Sequence, residues 1–189
     1  MILTPDNEYT AVLDACVLLP MPLCDTLLRL AEEPSLYRPL WSTTTLEEIR
    51  RNLAVKLHRT PEQCERRITA MRSAFPESEI VVPDELLHGF DCVGDVNDRH
   101  VLGAAVRGSA HVIVTNNVRD FPPECLRRFD LLCHTPDEFL IHQFHIGPDE
   151  VLSKLDEQAA NVGKDRISIA NHLGIICPEF AKLVLERSA

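Results

Sequence analysis

The sequence predicts an α/β fold: a three-layer α/β/α sandwich around a central parallel sheet, with an α-helical C-terminal region. Three observations carry this. Short apolar runs at Tyr9–Leu13, Pro39–Trp41, Glu79–Val82 and His111–Thr115 are separated by stretches with apolar residues at helical spacing. Strands that alternate with helices imply parallel pairing with helices on both faces. Beyond about Pro136 the strands stop, and proline-led helix starts follow one another.

Taken in order, Tyr9–Leu13 is a strand that ends at Asp14. Cys16 to Leu30 reads as a loop that runs into a helix through Leu23, Leu27 and Leu30. Pro39–Trp41 is a brief extended stretch. Ser42 and Thr43–Thr45 then supply N-cap hydroxyls for a helix with Leu46, Ile49, Leu53 and Leu57 on one stripe. Thr60-Pro61-Glu62 opens the next helix, which carries Cys64, Ile68 and Met71. A strand at Glu79–Val82 is bounded by Pro83. Asp95 to Val106 reads as one helix, His111–Thr115 as the strongest strand, and Phe129–His134 as the last strand. Starts at Pro136, Pro148 and Pro178 have acids in their first turns, which suits the helix dipole. These features divide the chain into an α/β unit over residues 1–135 and a helical extension over 136–189.

At 189 residues, 45% of them hydrophobic and 25% charged, the composition is that of a soluble globular domain. No apolar run approaches the ~20 residues of a membrane helix, and the opening MILTPDNEYT lacks a secretory pattern. A cytoplasmic location is therefore expected. The seven cysteines include no CxxC pair and mostly have apolar neighbours. They read as buried thiols of a reducing compartment, rather than as a disulfide framework or a zinc site. The net charge of −10 argues against a protein that coats nucleic acid, since phosphate affinity needs cationic contacts. It is compatible with a nuclease that gathers carboxylates and keeps a local basic rim.

Four polar clusters fall at the ends of the predicted elements. They are Asp14, Glu47-Glu48, the Asp95/Asp98 pair, and Asn116-Asn117 with Asp120. Singly, each has an ordinary role: Asp14 as a turn or cap, the glutamates as dipole partners, Asp95 and Asp98 as a cap and its N3 companion, and Asn116-Asn117 as a loop. Together they are costly, because carboxylates converging at one end of a sheet repel each other and raise each other's pKa. A bound cation removes that cost. Mg²⁺ or Mn²⁺ takes oxygen ligands and keeps waters, so a few carboxylates suffice. Helical periodicity does not choose between Glu47 and Glu48.

In this order, Val12-Leu13-Asp14-Ala15-Cys16, Ser42 to Leu53, Asp95 to Ala105 and Val114-Thr115-Asn116-Asn117 through Asp120 resemble PIN-domain proteins. They look like VapC-type ribonuclease toxins of toxin–antitoxin pairs, over about residues 9 to 134. The resemblance implies a PIN-like fold and an endoribonuclease that uses Mg²⁺ or Mn²⁺, with Asp14, Asp98 and Glu48 as catalytic metal ligands. It selects Glu48 over Glu47, and it places an amide, Asn117, where the family often has an acid. Either three carboxylates suffice or Asp95 or Asp120 supplies the missing charge; Asp95 is preferred as the further ligand because its spacing puts it beside Asp98, with Asn117 and Asp120 supporting. An RNA substrate, an antitoxin partner and a homodimer are further implications.

Arg50, Arg51 and Arg99 are candidates for gripping RNA phosphates, and Lys56, His58 and Arg59 are expected farther along the helix that carries Glu48. His100 reads as structural. Two rivals accompany this reading. One is a catalytically silent PIN-fold module that binds RNA or protein, which Asn117 favours. The other is an enzyme acting on small phosphates. Cys16 stands where an aspartate-nucleophile phosphatase has its second aspartate, and no GxxxxGK[ST] loop occurs.

Overall fold

Thr10–Leu13 (β1) is buried along its whole length, as a strand covered on both faces must be. In the computed structural model, which describes residues 9–188, β1 is followed by Ala15–Leu18 (α1), Met21–Leu30 (α2), Arg38–Ser42 (β2), Thr43–Lys56 (α3), Pro61–Ala74 (α4), Glu79–Ile80 (β3) and Asp84–Leu87 (α5). Arg99–Arg107 (α6), Val112–Val114 (β4), Pro123–Leu126 (α7) and Leu132–His134 (β5) complete the sheet layer. Pro136–Ile146 (α8), Pro148–Asn161 (α9), Arg166–Leu173 (α10) and Pro178–Arg187 (α11) form the extension. Residues 1–8, where the leader pattern was sought, and residue 189 lie outside the described residues.

The five strands pair in the order β3-β2-β1-β4-β5, all parallel. Alternate side chains go to opposite layers. Ala11, Leu13, Trp41, Val112 and Val114 join one core with α2, α3, α4 and the C-terminal helices. Val12, Leu40 and Ile113 join another with α6 and α7. The three-layer sandwich predicted from the sequence is the architecture observed. The extension packs onto the first core through Phe139, Leu155 and Phe180, and Gln158 on α9 takes a 2.8 Å hydrogen bond from Thr26 on α2.

The local chemistry explains most boundaries. Ser42 caps α3 by accepting from Thr45 N, and Thr60 and Thr135 form capping boxes with Gln63 and Glu138. Three expectations need correction. Asp95 and Asp98 do not share one α-helix. Asp95 Oδ1 accepts from Asn97 N and Nδ2, each at 2.9 Å, which tightens Val96–Asp98 into a 3-10 turn, and α6 begins only at Arg99. His58 and Arg59 do not continue α3, which ends at Lys56 before His58 takes a positive φ of 50°. The cysteines are not all thiols, since Cys92 and Cys125 form a disulfide. Their 33-residue separation and lack of a local motif hid a pairing that only the packing of the 88–95 loop on α7 creates.

Candidate active site

β1 is the strand at which the winding reverses, since β2 lies on one side of it and β4 on the other. In such sheets the crevice opens beyond the carboxyl ends of the two strands at the switch point. Asp14 follows β1 there and Thr115 follows β4. Pairing continues one residue past the strands, with Asp14 N donating to Val114 O at 3.1 Å.

Asp14 is only 4% exposed, yet its side chain caps nothing on α1. Instead its Oδ2 accepts from Thr115 Oγ1 at 2.7 Å and from Cys16 Sγ at 3.0 Å. Cys16 Sγ also accepts from Asn116 N at 3.2 Å, and Thr115 Oγ1 accepts from Asn117 N at 3.0 Å. Burial, and then the Asp14 charge, push the Cys16 thiol up to about 12, so it stays a donor rather than a thiolate. The cap reading of Asp14 therefore gives way to a carboxylate held in one orientation by strand-end donors.

Asp98 closes the 3-10 turn and is half-buried, also without a capping bond. Its carboxyl is raised from 3.8 to about 6, first by burial and then by the charges of Asp14, Asp120, Asp95 and Glu48. Five carboxylates from four chain segments thus share one electrostatic field. Glu48 belongs to it and its neighbour does not. Glu47 points to solvent, whereas the Glu48 side chain is only 20% exposed, with Oε1 at 3.5 Å from His100 Nε2 and 4.0 Å from Arg51 Nη2. Asp95 is exposed and engaged by Asn97. Asp120 arrives through a close approach of two loops, in which Gly94 N donates to Asp120 O at 2.8 Å. A Cβ at position 94 would meet Asp120 Oδ1 at 2.9 Å, so a larger residue would push Asp120 away. The Cys92–Cys125 disulfide ties the same two segments together.

The donor set of these acids is oxygen only, which suits a hard divalent cation such as Mg²⁺ or Mn²⁺. The repulsion expressed at Asp98 is the penalty such an ion relieves. Among the described residues no three His, Cys, Asp or Glu side chains already converge on one point. The acids are gathered, not closed into a cage.

Beside Glu48 lies a polar groove of about 670 Å³ lined by Thr44, Glu47, Glu48, Arg50, Arg51 and Asn97. The Arg51 side chain is exposed there, and Arg50 is shared with Glu65 at 3.2 Å. Arg99 is not with them. Its Nη1 donates to Leu87 O at 3.4 Å, next to α5. Arg67 on α4 donates to the carbonyls of Leu18 and Leu19 at the end of α1. Exposed Asn117 joins the site edge through its backbone. Sequence reasoning missed Thr115, Cys16 and His100 as partners of the acids, and Ser42 as the partner of His100. The available signal was their position, at strand ends or within two residues of an acid.

Comparison with known proteins gives the family of the fold. A family model described as the PIN domain matches residues 10–119, from β1 into the 3-10 turn Val118–Asp120 and ending one residue short of Asp120. A relative from Mycobacterium tuberculosis (strain ATCC 25618 / H37Rv), named "Putative ribonuclease VapC50", is 47% identical over 49 residues, which are 26% of this chain and 29% of that protein. The chain therefore matches less than one third of that relative's length. The family match spans more than half of the chain and takes in Asp14, Glu48, Asp95, Asp98 and Asn117. By that span this chain belongs to the PIN domain family.

Proposed function

We propose that the protein is a metal-dependent endoribonuclease, the toxin of a type II toxin–antitoxin pair. The observation that carries the reading is the gathering of Asp14, Glu48, Asp95 and Asp120 around Asp98 at the sheet's switch point, where burial first and then their charges raise the Asp98 carboxyl to about 6. A protein keeps such repulsion where a cation offsets it. Asp14, Asp98 and Glu48 would hold Mg²⁺ or Mn²⁺, with Asp95 as a further ligand and Asn117 and Asp120 in support. When bound, the ion acidifies a water and stabilises charge on the leaving oxygen. The chain's own part is to orient. Thr115 and Cys16 fix Asp14, and Arg51 and Arg50 offer phosphate contacts along the groove, which position RNA without reading its bases. Arg99 is the least suited of the three arginines, because it is turned to Leu87.

The relative's name, which calls it a ribonuclease of the VapC kind, supports the RNA substrate and the antitoxin partner. A homodimer and a cytoplasmic location belong to the same reading. No helix among the described residues is long and apolar enough to cross a membrane. In this reading residues 1–135 carry the chemistry, and 136–189 brace the core beneath it.

A second reading, a silent PIN-fold module that binds RNA or protein, is favoured by the amide at Asn117. Incubation of single-stranded RNA and of small phosphate esters with the full chain and Mn²⁺ or Mg²⁺ separates these. The proposal expects RNA fragments that disappear with a chelator. Retention of intact RNA would favour the silent module, and hydrolysis of the esters alone would point to a small-phosphate enzyme.

A further inference from the structure

His100 follows Asp98 by two residues and lies 4% exposed inside the site wall. Its Nδ1 is 2.7 Å from Ser42 Oγ, the hydroxyl that caps α3, and its Nε2 faces Glu48 Oε1 at 3.5 Å, on the second turn of that helix. Nε2 is fully buried and makes no hydrogen bond, and Glu48 Oε1 at 3.5 Å is the carboxylate that faces it. Ser42 Oγ already accepts from Thr45 N at 2.9 Å and lies 2.9 Å from Thr45 Oγ1, which can donate a second proton to it. The distances fit either direction; with Thr45 as the donor in that contact, Ser42 gives its one proton to Nδ1 of a neutral ring. That assigns the ring proton to Nε2, where it points at Glu48. The opposite tautomer would set a lone pair against a carboxylate in a buried place.

We propose that His100 is a positioning residue: its Nε2–H holds Glu48 toward the acid cluster, while Nδ1 anchors the ring to the α3 cap. The inference rests on Glu48 being a metal ligand, as read above. The same ring links α6, which follows Asp98 directly, to α3, which carries Glu48, so two ligands from distant segments move as one unit. Partners that orient a metal ligand through its second oxygen or nitrogen are commonly worth about 10–100-fold in metal affinity.

The test compares His100→Asn, His100→Gln and His100→Leu in the full chain, with Mn²⁺ titration and thermal unfolding as readouts. It adds ¹⁵N spectra of the metal-free wild type and of Glu48→Ala. Asn keeps a group near Nδ1 but falls short of Glu48, whereas Gln places an amide N–H near Nε2. The expected result is an Nε2-protonated ring whose Nε2 signal shifts in Glu48→Ala. Mn²⁺ affinity should fall about 10–100-fold in Asn and Leu and be largely regained in Gln. Equal Mn²⁺ affinity in Asn, Gln and wild type, at matched stability, would overturn the proposal, as would an Nδ1-protonated ring. If the wild type binds no Mn²⁺ but shows the Nε2 signature, the metal reading fails and the His100–Glu48 contact stands.

Discussion

Thr115 donates its hydroxyl proton to Asp14 Oδ2 across 2.7 Å, and both side chains are buried. The bond spans the switch point of the sheet, since Asp14 leaves β1 and Thr115 leaves β4, the strand hydrogen-bonded to it. A charge buried at the carboxyl end of a strand is tolerated when donors meet it, and here a hydroxyl and a thiol do so. What remains of the carboxylate is free to face the other acids.

Thr115→Val keeps the shape and removes the donor. The unfolding free energy should fall by about 1–3 kcal/mol, the cost of removing one of two donors to a buried carboxylate and the acceptor of Asn117 N. Mn²⁺ affinity should fall with it, because Asp14 loses its fixed orientation. Urea unfolding and calorimetric titration of the variant check both. Unchanged values in both would mean that Cys16 alone positions Asp14.

The raised Asp98 sets a pH dependence with a definite sign. Between 3.8 and about 6 the folded, metal-free chain holds a proton that the unfolded chain has released. The contribution of Asp98 to stability is therefore fully present below 3.8 and is lost as pH rises through about 6. Asp98→Asn removes this contribution, so with a chelator present the variant should be more stable than wild type at about pH 8 and should flatten the decline. Added Mn²⁺ should then stabilise the wild type far more than the variant. Urea unfolding across pH, with and without metal, measures the difference.

Arg51 stands exposed in the groove beside Glu48. Arg51→Ala should weaken binding of single-stranded RNA about equally for all sequences, and should reduce the slope of log affinity against log salt by about 0.7 if one phosphate contact is lost. Mn²⁺ affinity should stay near the wild-type value. Fluorescence anisotropy over a salt series checks this.

The Cys92–Cys125 disulfide clamps the loop before Asp95 to the segment after Asp120. Cys92→Ser should cost about 2–4 kcal/mol of stability, as expected for a crosslink closing a loop of this size. Non-reducing peptide mapping of the wild type should recover the joined pair. Free thiols at both positions, together with equal stability, would contradict the link.

The sheet was readable because its central strands are continuous apolar runs and its helices carry capping hydroxyls and periodic leucines. Asp14 was readable as the polar residue that ends such a run. Other features depend on how the elements rotate and pack. Glu47 and Glu48 flank the same apolar stripe, and only the seating of α3 turns Glu48 inward. Asp95 and Asp98 have helical spacing, but the Asp95–Asn97 bonds pull the chain into a 3-10 turn first. α10 is opened by Asp165 rather than by a proline, so it lacked the signal that marked the other three helices of the extension. His100 looked structural because nothing local to it names Ser42 or Glu48, its two partners across the fold.

The central claim is that these acids form one metal-dependent nuclease centre, and cleavage of single-stranded RNA with Mn²⁺ by the wild type and by Asp14→Asn tests it most directly. Asp14→Asn keeps an acceptor for Thr115 while removing the charge. The account predicts chelator-sensitive fragments from the wild type and a loss of at least about 100-fold in the variant, the scale of a lost electrostatic contribution to catalysis. Equal residual cleavage by the two proteins would contradict it.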